Sequence, residues 1–188
     1  KLTENGMIAS GPYLDIGGSY ETGHTIRELV ESRLVSPLFE KLEPIAEEKR
    51  ELKLERALYC HQETALLKAN AGENLVITTG TGSGKTESFL LPIINHLLCQ
   101  QEAGTLDAGV RAIIIYPMNA LANDQMKRMR ALFRNYPQIC YGVYNGNTEH
   151  AQSKALEECR KTFRDEQGNP LEPMENEIIS REVMQKTP

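Results

Sequence analysis

Residues 79 to 86 read Thr-Gly-Thr-Gly-Ser-Gly-Lys-Thr, a spacing of residue types that suits one kind of chemistry. Glycine at alternate positions lets the backbone wrap closely, so that successive N–H groups point inward at an anion. A helical pattern begins at once after Lys85-Thr86, and its N-terminus adds a partial positive charge at the same point. The amides of Thr81, Gly82, Ser83 and Gly84 are then the expected cradle for the phosphates of a nucleoside triphosphate. Lys85 is the side chain expected to reach the β- and γ-phosphates, and the Thr86 hydroxyl is the expected ligand of Mg²⁺. The strict G-x-x-x-x-G-K-[ST] pattern is missed at its first position, Thr79. That position precedes the amides expected to hold phosphate.

The elements around this loop must carry it. Residues 75–77 (Leu-Val-Ile) form a short apolar run that reads as a buried strand. Residues 89–98 are apolar nearly all round, as a helix covered by a sheet would be, with Pro92 expected to remove one backbone bond and kink it. Residues 110–116 (Val-Arg-Ala-Ile-Ile-Ile-Tyr) read as the clearest strand, a central parallel one covered on both faces. A helix is expected over 121–135, with Ala122, Met126, Met129 and Phe133 as its apolar stripe and Lys127, Arg128, Arg130 and Arg134 as exposed charge. A third strand is expected over 139–144, a turn at Asn145-Gly146-Asn147, and a polar helix capped by Thr148 and running to residue 164. A short helical stretch follows Ser180. Strand–loop–helix–strand–helix–strand gives an α/β fold, a parallel sheet with helices on both faces, and ligands at the carboxyl ends of its strands.

The sequence before the loop is of two kinds. Residues 1–24 are rich in Gly, Ser and Tyr and read as an irregular surface arm. Thr25 is placed to cap a helix with Ile26, Leu29, Val30 and Leu34 on one face, and Ser36-Pro37 to start another. Residues 47–56 are dense in mixed charge and read as a solvated stretch. Residues 57–70 suit a helix. The chain therefore divides into an N-terminal extension, 1–55, and an α/β domain, 56–188.

With 188 residues, 40% of them hydrophobic, and a net charge of −5, the chain can bury one good core. Its overall charge advertises no nucleic-acid surface and excludes none, since local patches matter more than totals. Four scattered cysteines, without a C-x-x-C pair, argue against zinc and for reduced thiols. No apolar run reaches membrane-spanning length and no secretory leader is visible, so a cytoplasmic protein without membrane contact is expected.

Four stretches in order carry a family resemblance: Tyr59-Cys60-His61-Gln62, residues 79–86, residues 116–125 (Tyr-Pro-Met-Asn-Ala-Leu-Ala-Asn-Asp-Gln) and Tyr144-Asn145-Gly146-Asn147-Thr148. Together they resemble the first RecA-like domain of superfamily 2 helicases of the DEAD/DEAH-box type, nearest the bacterial Lhr- and YprA-like DNA helicases. The resemblance covers residues 56–188 and implies a P-loop RecA-like sheet and ATP with Mg²⁺ as cofactors. It implies that Gln62 reads adenine, a task an amide can perform because it donates and accepts at once. Tyr59 is either a packing partner of the base or ribose, or a core tyrosine at a helix start. Pro117, Asn119, Ala120 and Gln125 fall on the segment that contacts the nucleic-acid backbone in the family. Many relatives carry a cation where this chain has Asn119, which weakens a phosphate contact there. Asn145, Gly146 and Thr148 match the next strand-contacting loop, or form a plain turn. Pro92 has a precedent in the family's own helix.

ATP hydrolysis in the family needs an Asp-Glu pair at a strand end. The single Asp-Glu here, Asp165-Glu166, sits in a polar loop with no strand leading into it. The chain therefore reads as the N-terminal piece of an ATP-dependent helicase or translocase, more naturally of DNA, that stops before those carboxylates and does not turn over ATP by itself. A second RecA-like domain of the same polypeptide would complete the cleft. The competing readings are a P-loop ATPase that acts as a switch or assembly module without unwinding, and a non-catalytic interaction module with protein partners.

Overall fold

Thr25 starts the first ordered helix as its sequence requires. Its hydroxyl accepts the Glu28 amide at 3.1 Å, and the Glu28 carboxylate accepts the Thr25 amide at 2.7 Å, which satisfies two helix-end donors reciprocally. The structure is a computed structural model that describes residues 20–42, 52–134, 136–164 and 167–186. Strand β1 (Thr22–Thr25) leads into helix α1 (Ile26–Glu31), and a 3-10 helix spans Pro37–Leu42. Strand β2 (Ala57–Tyr59) is followed directly by α2 (Cys60–Asn70). Helix α3 (Lys85–Glu102) follows the glycine loop, and α4 (Asn119–Leu132) follows after a long non-helical stretch. Strand β3 (Tyr141–Gly142), α5 (Gln152–Thr162), β4 (Glu177–Ile178) and α6 (Arg181–Lys186) complete the order.

The core runs across residue 55. Ile26, Leu29, Phe39, Leu42 and Leu54 from one side pack in one cluster with Leu58, Leu66, Leu91, Ile94 and Leu98 from the other. Helices α2 and α3 lie against each other at its centre. Polar pins fix the layers: Ser36 donates its amide to Asn95 at 2.8 Å, and the Asn95 amide donates to Asn70 at 2.9 Å. Such buried partners are needed because an unpaired polar group there would cost more than the bond returns. Helix α3 passes through Pro92 without interruption, and the Ser88 carbonyl one turn earlier forfeits its helical donor.

The expected parallel sheet does not form among the described residues. Two small sheets are present instead: β1 pairs antiparallel with β2, and β3 pairs parallel with β4. Residues 75–77 and 110–116, expected as buried strands, carry no regular secondary structure and pair with no strand among the described residues. Val76 is 92% exposed, Ile113 77% and Ile115 88%. The physical reason is that β-branched residues favour extended backbone, whereas strand burial needs a neighbour to pair with the amides and cover the faces. The third expected strand shrinks to two residues. Residues 57–59, expected as helix, are β2, because β1 arrives to pair with them.

The helix ends also move. Leu34, expected on the buried face of α1, is exposed beyond its end. Thr148 does not cap α5: its hydroxyl donates to the Val143 carbonyl at 2.9 Å and accepts the Asn145 amide at 2.9 Å, closing the turn at 145–148. Arg130, expected in solvent, is buried against Glu177.

The strap formed by β1 is fixed by one pair. Glu63 of α2 accepts the His24 backbone amide at 2.8 Å and lies 2.7 Å from its Nδ1. The hydrogen bond and charge of Glu63 raise the His24 pKa above its usual 6.5. Burial pushes the Glu63 carboxyl up, but the hydrogen bonds and charge of His24 outweigh it and hold it below 4.5. The signs fix a window. The Glu63 contribution is present above about pH 4.5 and is lost as pH falls through its lowered value. The His24 contribution is complete below about pH 6.5 and is lost as pH rises through its raised value. In an NMR titration the His24 ring should titrate above 6.5 in the native chain and fall back towards 6.5 in Glu63→Gln. An unchanged midpoint in that variant would refute the pairing.

Candidate functional site

The glycine loop is built by two left-handed residues. Gly82 has φ 74° and Gly84 φ 72°, ψ 36°, and Gly84 is the N-cap of α3. Non-glycine residues visit that region at a cost of about 1–2 kcal/mol, so the alternation of glycines is a backbone requirement. Between them Ser83 is 1% exposed, and its hydroxyl lies 2.6 Å from that of Thr79. Thr79, the departure from the strict pattern, thus has a structural task in closing the base of the loop.

Lys85 folds back over the loop. Its ammonium donates to the Thr79 carbonyl at 2.7 Å and the Gly80 carbonyl at 2.6 Å. The cation is held by neutral carbonyls, and phosphate oxygens would be stronger partners for it. Thr86 lies half-buried in the first turn of α3. The residue types present fit a triphosphate with Mg²⁺: a left-handed glycine turn, a helix N-terminus, an ammonium and a hydroxyl follow one another over residues 82–86.

Helix α2 braces the loop from the other side. His61 Nε2 donates to the Ser83 carbonyl at 2.9 Å, and Gln62 Nε2 donates to the Gly84 carbonyl at 3.0 Å. The Gln62 carbonyl accepts the Tyr59 amide at 2.9 Å. Gln62 is 1% exposed, so it is a buried bridge between the start of α2 and the loop. It retains one further N–H and one further lone pair. Sequence reasoning missed His61 as a member of this site; its position beside Gln62 in Tyr-x-His-Gln was the available signal.

Three rings stand beside the loop. Tyr20 lies 5.3 Å from Tyr59 and 5.5 Å from His61, and Tyr59 stacks on His61 at 5.7 Å. The Tyr20 hydroxyl approaches Gly80 closely enough that a Cβ there would meet it at 3.0 Å. Tyr20 comes from the stretch read as an irregular surface arm, and β1 carries it in. No pattern in residues 1–24 distinguishes it from its neighbours.

The strand-contacting candidates divide. Asn119, at the first turn of α4, and Asn145 line one groove of about 190 Å³ together with Asn123, Val143, Thr148 and Thr162. Pro117, Ala120 and Gly146 are exposed outside it, and Gln125 is half-buried with its carbonyl oxygen unpartnered among the described residues. Of the expected basic face, Lys127 and Arg134 are exposed. Arg128 pairs with Glu87 at 2.7 Å, and Arg130 is buried. Asp165-Glu166 lies outside the described residues.

Comparison with known proteins gives these features a common origin. The chain is 37% identical over 166 residues to Druantia protein DruE of Escherichia coli, a match covering 79% of this chain and 9% of that protein. It is 34% identical over 94 residues to the ATP-dependent helicase HRQ1 of Saccharomyces cerevisiae, covering 48% of this chain and 8% of that protein. It is 31% identical over 80 residues to ATP-dependent helicase Lhr-Core protein 2 of Thermococcus barophilus, covering 43% and 9%. The chain thus spans about a tenth of the length of these relatives. No solved structure matches it. The sequence profile of the DEAD/DEAH box helicases matches residues 59–164, a span that starts at Tyr59, takes in the glycine loop and residues 116–125 and 144–148, and covers more than half of the chain. On that match the chain belongs to the DEAD/DEAH box helicase family.

Proposed function

We propose that this chain is the ATP-binding N-terminal part of a helicase or translocase that moves along nucleic acid, with DNA as the preferred strand. The observation that carries the reading is the bracing of the phosphate loop by His61 and Gln62, which ties a base-side helix to the phosphate side in one rigid unit. In this reading the amides of residues 81–84 hold the phosphates, Lys85 neutralises charge on the transferring group, and Thr86 holds Mg²⁺. When bound, the metal supplies charge neutralisation at the β- and γ-oxygens. Gln62 directs its spare N–H and lone pair to adenine, with Tyr59 beside the base. Asn119 and Asn145 face the strand across their shared groove, with Pro117, Ala120, Gln125 and Gly146 around it. Amides there donate to phosphate or sugar and orient the strand without reading its sequence.

Residues 75–77 and 110–116 take the place of inner strands of a RecA-like sheet in this proposal, and they become buried when further strands pair with them. The cleft is completed by a second RecA-like domain of the same polypeptide. Since the sequence places no Asp-Glu pair behind an apolar run, the chain by itself binds nucleotide without turnover, and hydrolysis belongs to the whole protein.

Fluorescent ATP-analogue titration of the 188-residue chain is the direct test. Lys85→Ala should weaken binding by about 100-fold, in line with loss of a charge-assisted phosphate contact. Gln62→Ala should level the preference for ATP over GTP. Equal affinity of the native chain for both nucleotides would remove Gln62 from the base site, and ATPase activity lost in Lys85→Ala would refute the missing carboxylates. Strand-stimulated ATPase by the whole protein separates translocation from a switch or assembly ATPase. A ribo- and deoxyribo-oligonucleotide compared at equal salt decides the strand.

A further inference from the structure

Glu87 stands two residues after Lys85, in the first turn of α3, and it joins three parts of the structure. Its carboxylate accepts a hydrogen bond from Arg128 Nη2 of α4 at 2.7 Å. Arg56, in the lead-in to β2, lies 3.9 Å from the same oxygen. The other carboxylate oxygen sits against the phosphate loop, where a Cβ on Gly84 would meet it at 3.1 Å. Both members of the closer pair are largely withdrawn from solvent, Arg128 at 19% and Glu87 at 15%. Aromatic packing closes the place: Phe89, one half-turn beyond Glu87, meets Tyr116 edge-on at 6.5 Å. Tyr116 ends the 110–116 segment that leads towards α4, and the charge of Arg128 falls on its buried hydroxyl.

An acidic residue beside a phosphate-binding loop is unfavourable on simple electrostatics. It adds negative charge where a triphosphate must come, and in a partly desolvated place that repulsion is poorly screened. The loop tolerates Glu87 only while its charge is balanced from outside, and the nearer of its two cations belongs to the helix whose first turn holds Asn119. Any movement of α4 that lengthens the Arg128–Glu87 contact therefore unbalances a carboxylate at the loop. Conversely, phosphate arriving in the loop raises the demand for Arg128. A charge pair that senses both sites gives them a coupling free energy, and such coupling is reciprocal.

We propose that Glu87 and Arg128 are positioning residues that couple nucleotide occupancy of the loop to the strand-contacting face of α4. The proposal rests on the reading that the loop takes nucleotide and α4 contacts the strand. Neither residue touches the reacting atoms; the pair transmits the position of one element to the other.

The test uses the whole protein. Strand affinity is measured with and without a non-hydrolysable ATP analogue, and analogue affinity with and without strand. The ratio in each direction is the coupling factor, and the two factors must agree in the native protein. Glu87→Gln and Arg128→Gln should each lower that factor about tenfold, within the range of typical allosteric couplings. Analogue affinity without strand should fall in Arg128→Gln, which leaves the Glu87 charge unbalanced at the loop, and should not fall in Glu87→Gln, which removes that charge. The double variant should be no worse than either single one, and the exchanged pair Glu87→Arg with Arg128→Glu should recover part of the factor. A purely structural role would lower both affinities without changing their ratio, and that outcome overturns the proposal, as do additive single effects. A native protein with no coupling at all overturns both this proposal and the functional reading. Coupling retained in both Gln variants overturns this proposal alone.

Discussion

Gly84→Ala should lower the unfolding free energy by about 2–4 kcal/mol and abolish nucleotide binding, whereas Gly82→Ala should cost about 1 kcal/mol. Both residues are left-handed, at φ 72° and 74°, so both substitutions pay the same backbone strain. Their surroundings differ. A Cβ at Gly82 has nothing within 4 Å, while one at Gly84 runs into the Gln62 side-chain nitrogen and approaches Glu87. The collision cannot be relieved by a small rotation, because Gln62 is 1% exposed and held at both ends, by the Tyr59 amide and the Gly84 carbonyl. Alanine at 84 therefore expels Gln62, leaves its buried partners unsatisfied and frees the start of α2 from the loop. Thermal unfolding of the two variants side by side checks the difference. Similar small shifts in both would show that the Gln62 bridge carries no weight, and nucleotide binding retained in Gly84→Ala would remove it from the site.

That contrast also shows what the residues disclosed in advance. The backbone of the loop was legible, because glycine alternation and the helix start at Lys85 are set by local sequence. Helices α3 and α4 were legible from local sequence as well, α3 from an apolar run that follows the loop and α4 from an apolar stripe at helical spacing. The role of Gln62 was only half legible. Its residue type marks a donor and acceptor, but its burial comes with the bridge it makes from Tyr59 to Gly84, 22 residues beyond Gln62 in the chain, and nothing in residues 20–25 announces a pairing between Thr22 and Tyr59. Tyr20 reaches the loop by that same pairing. The largest divergence concerns residues 110–116. Apolar β-branched sequence is a statement about what would be stable once paired, and it holds no information about which segment pairs with it. With no partner among the described residues, Ile113 and Ile115 stay in solvent. Membership of the helicase family was legible because four separated motifs in one order restrict the possibilities far more than any of them alone.

Glu177→Leu should be among the most damaging single changes away from the loop, costing about 3–5 kcal/mol. Arg130 was expected on an exposed basic face, yet it packs inside. Its side chain is 10% exposed and that of Glu177 1%, at a separation of 2.8 Å. The same guanidinium donates to the Cys159 sulfur at 3.2 Å and lies 4.0 Å above the Phe163 ring. Helix α4, helix α5 and strand β4 are thereby tied at one cation. Burial opposes the charge of Arg130, but the hydrogen bond and charge of Glu177 outweigh it and raise the pKa above the usual arginine value. Burial likewise lifts the Cys159 thiol, against the opposing hydrogen bond from Arg130. Removing one partner leaves the other as an uncompensated buried charge, so Arg130→Met should cost a similar amount. Replacing both, Arg130→Met with Glu177→Leu, should recover stability to within about 1 kcal/mol of the native chain, because the desolvation of both charges is then no longer incurred. Urea unfolding of the three variants gives the interaction energy by double-mutant cycle. If Glu177→Leu cost less than about 1 kcal/mol, or if the double variant were as unstable as the sum of the singles, the buried pair would not be what joins α5 and β4 to α4.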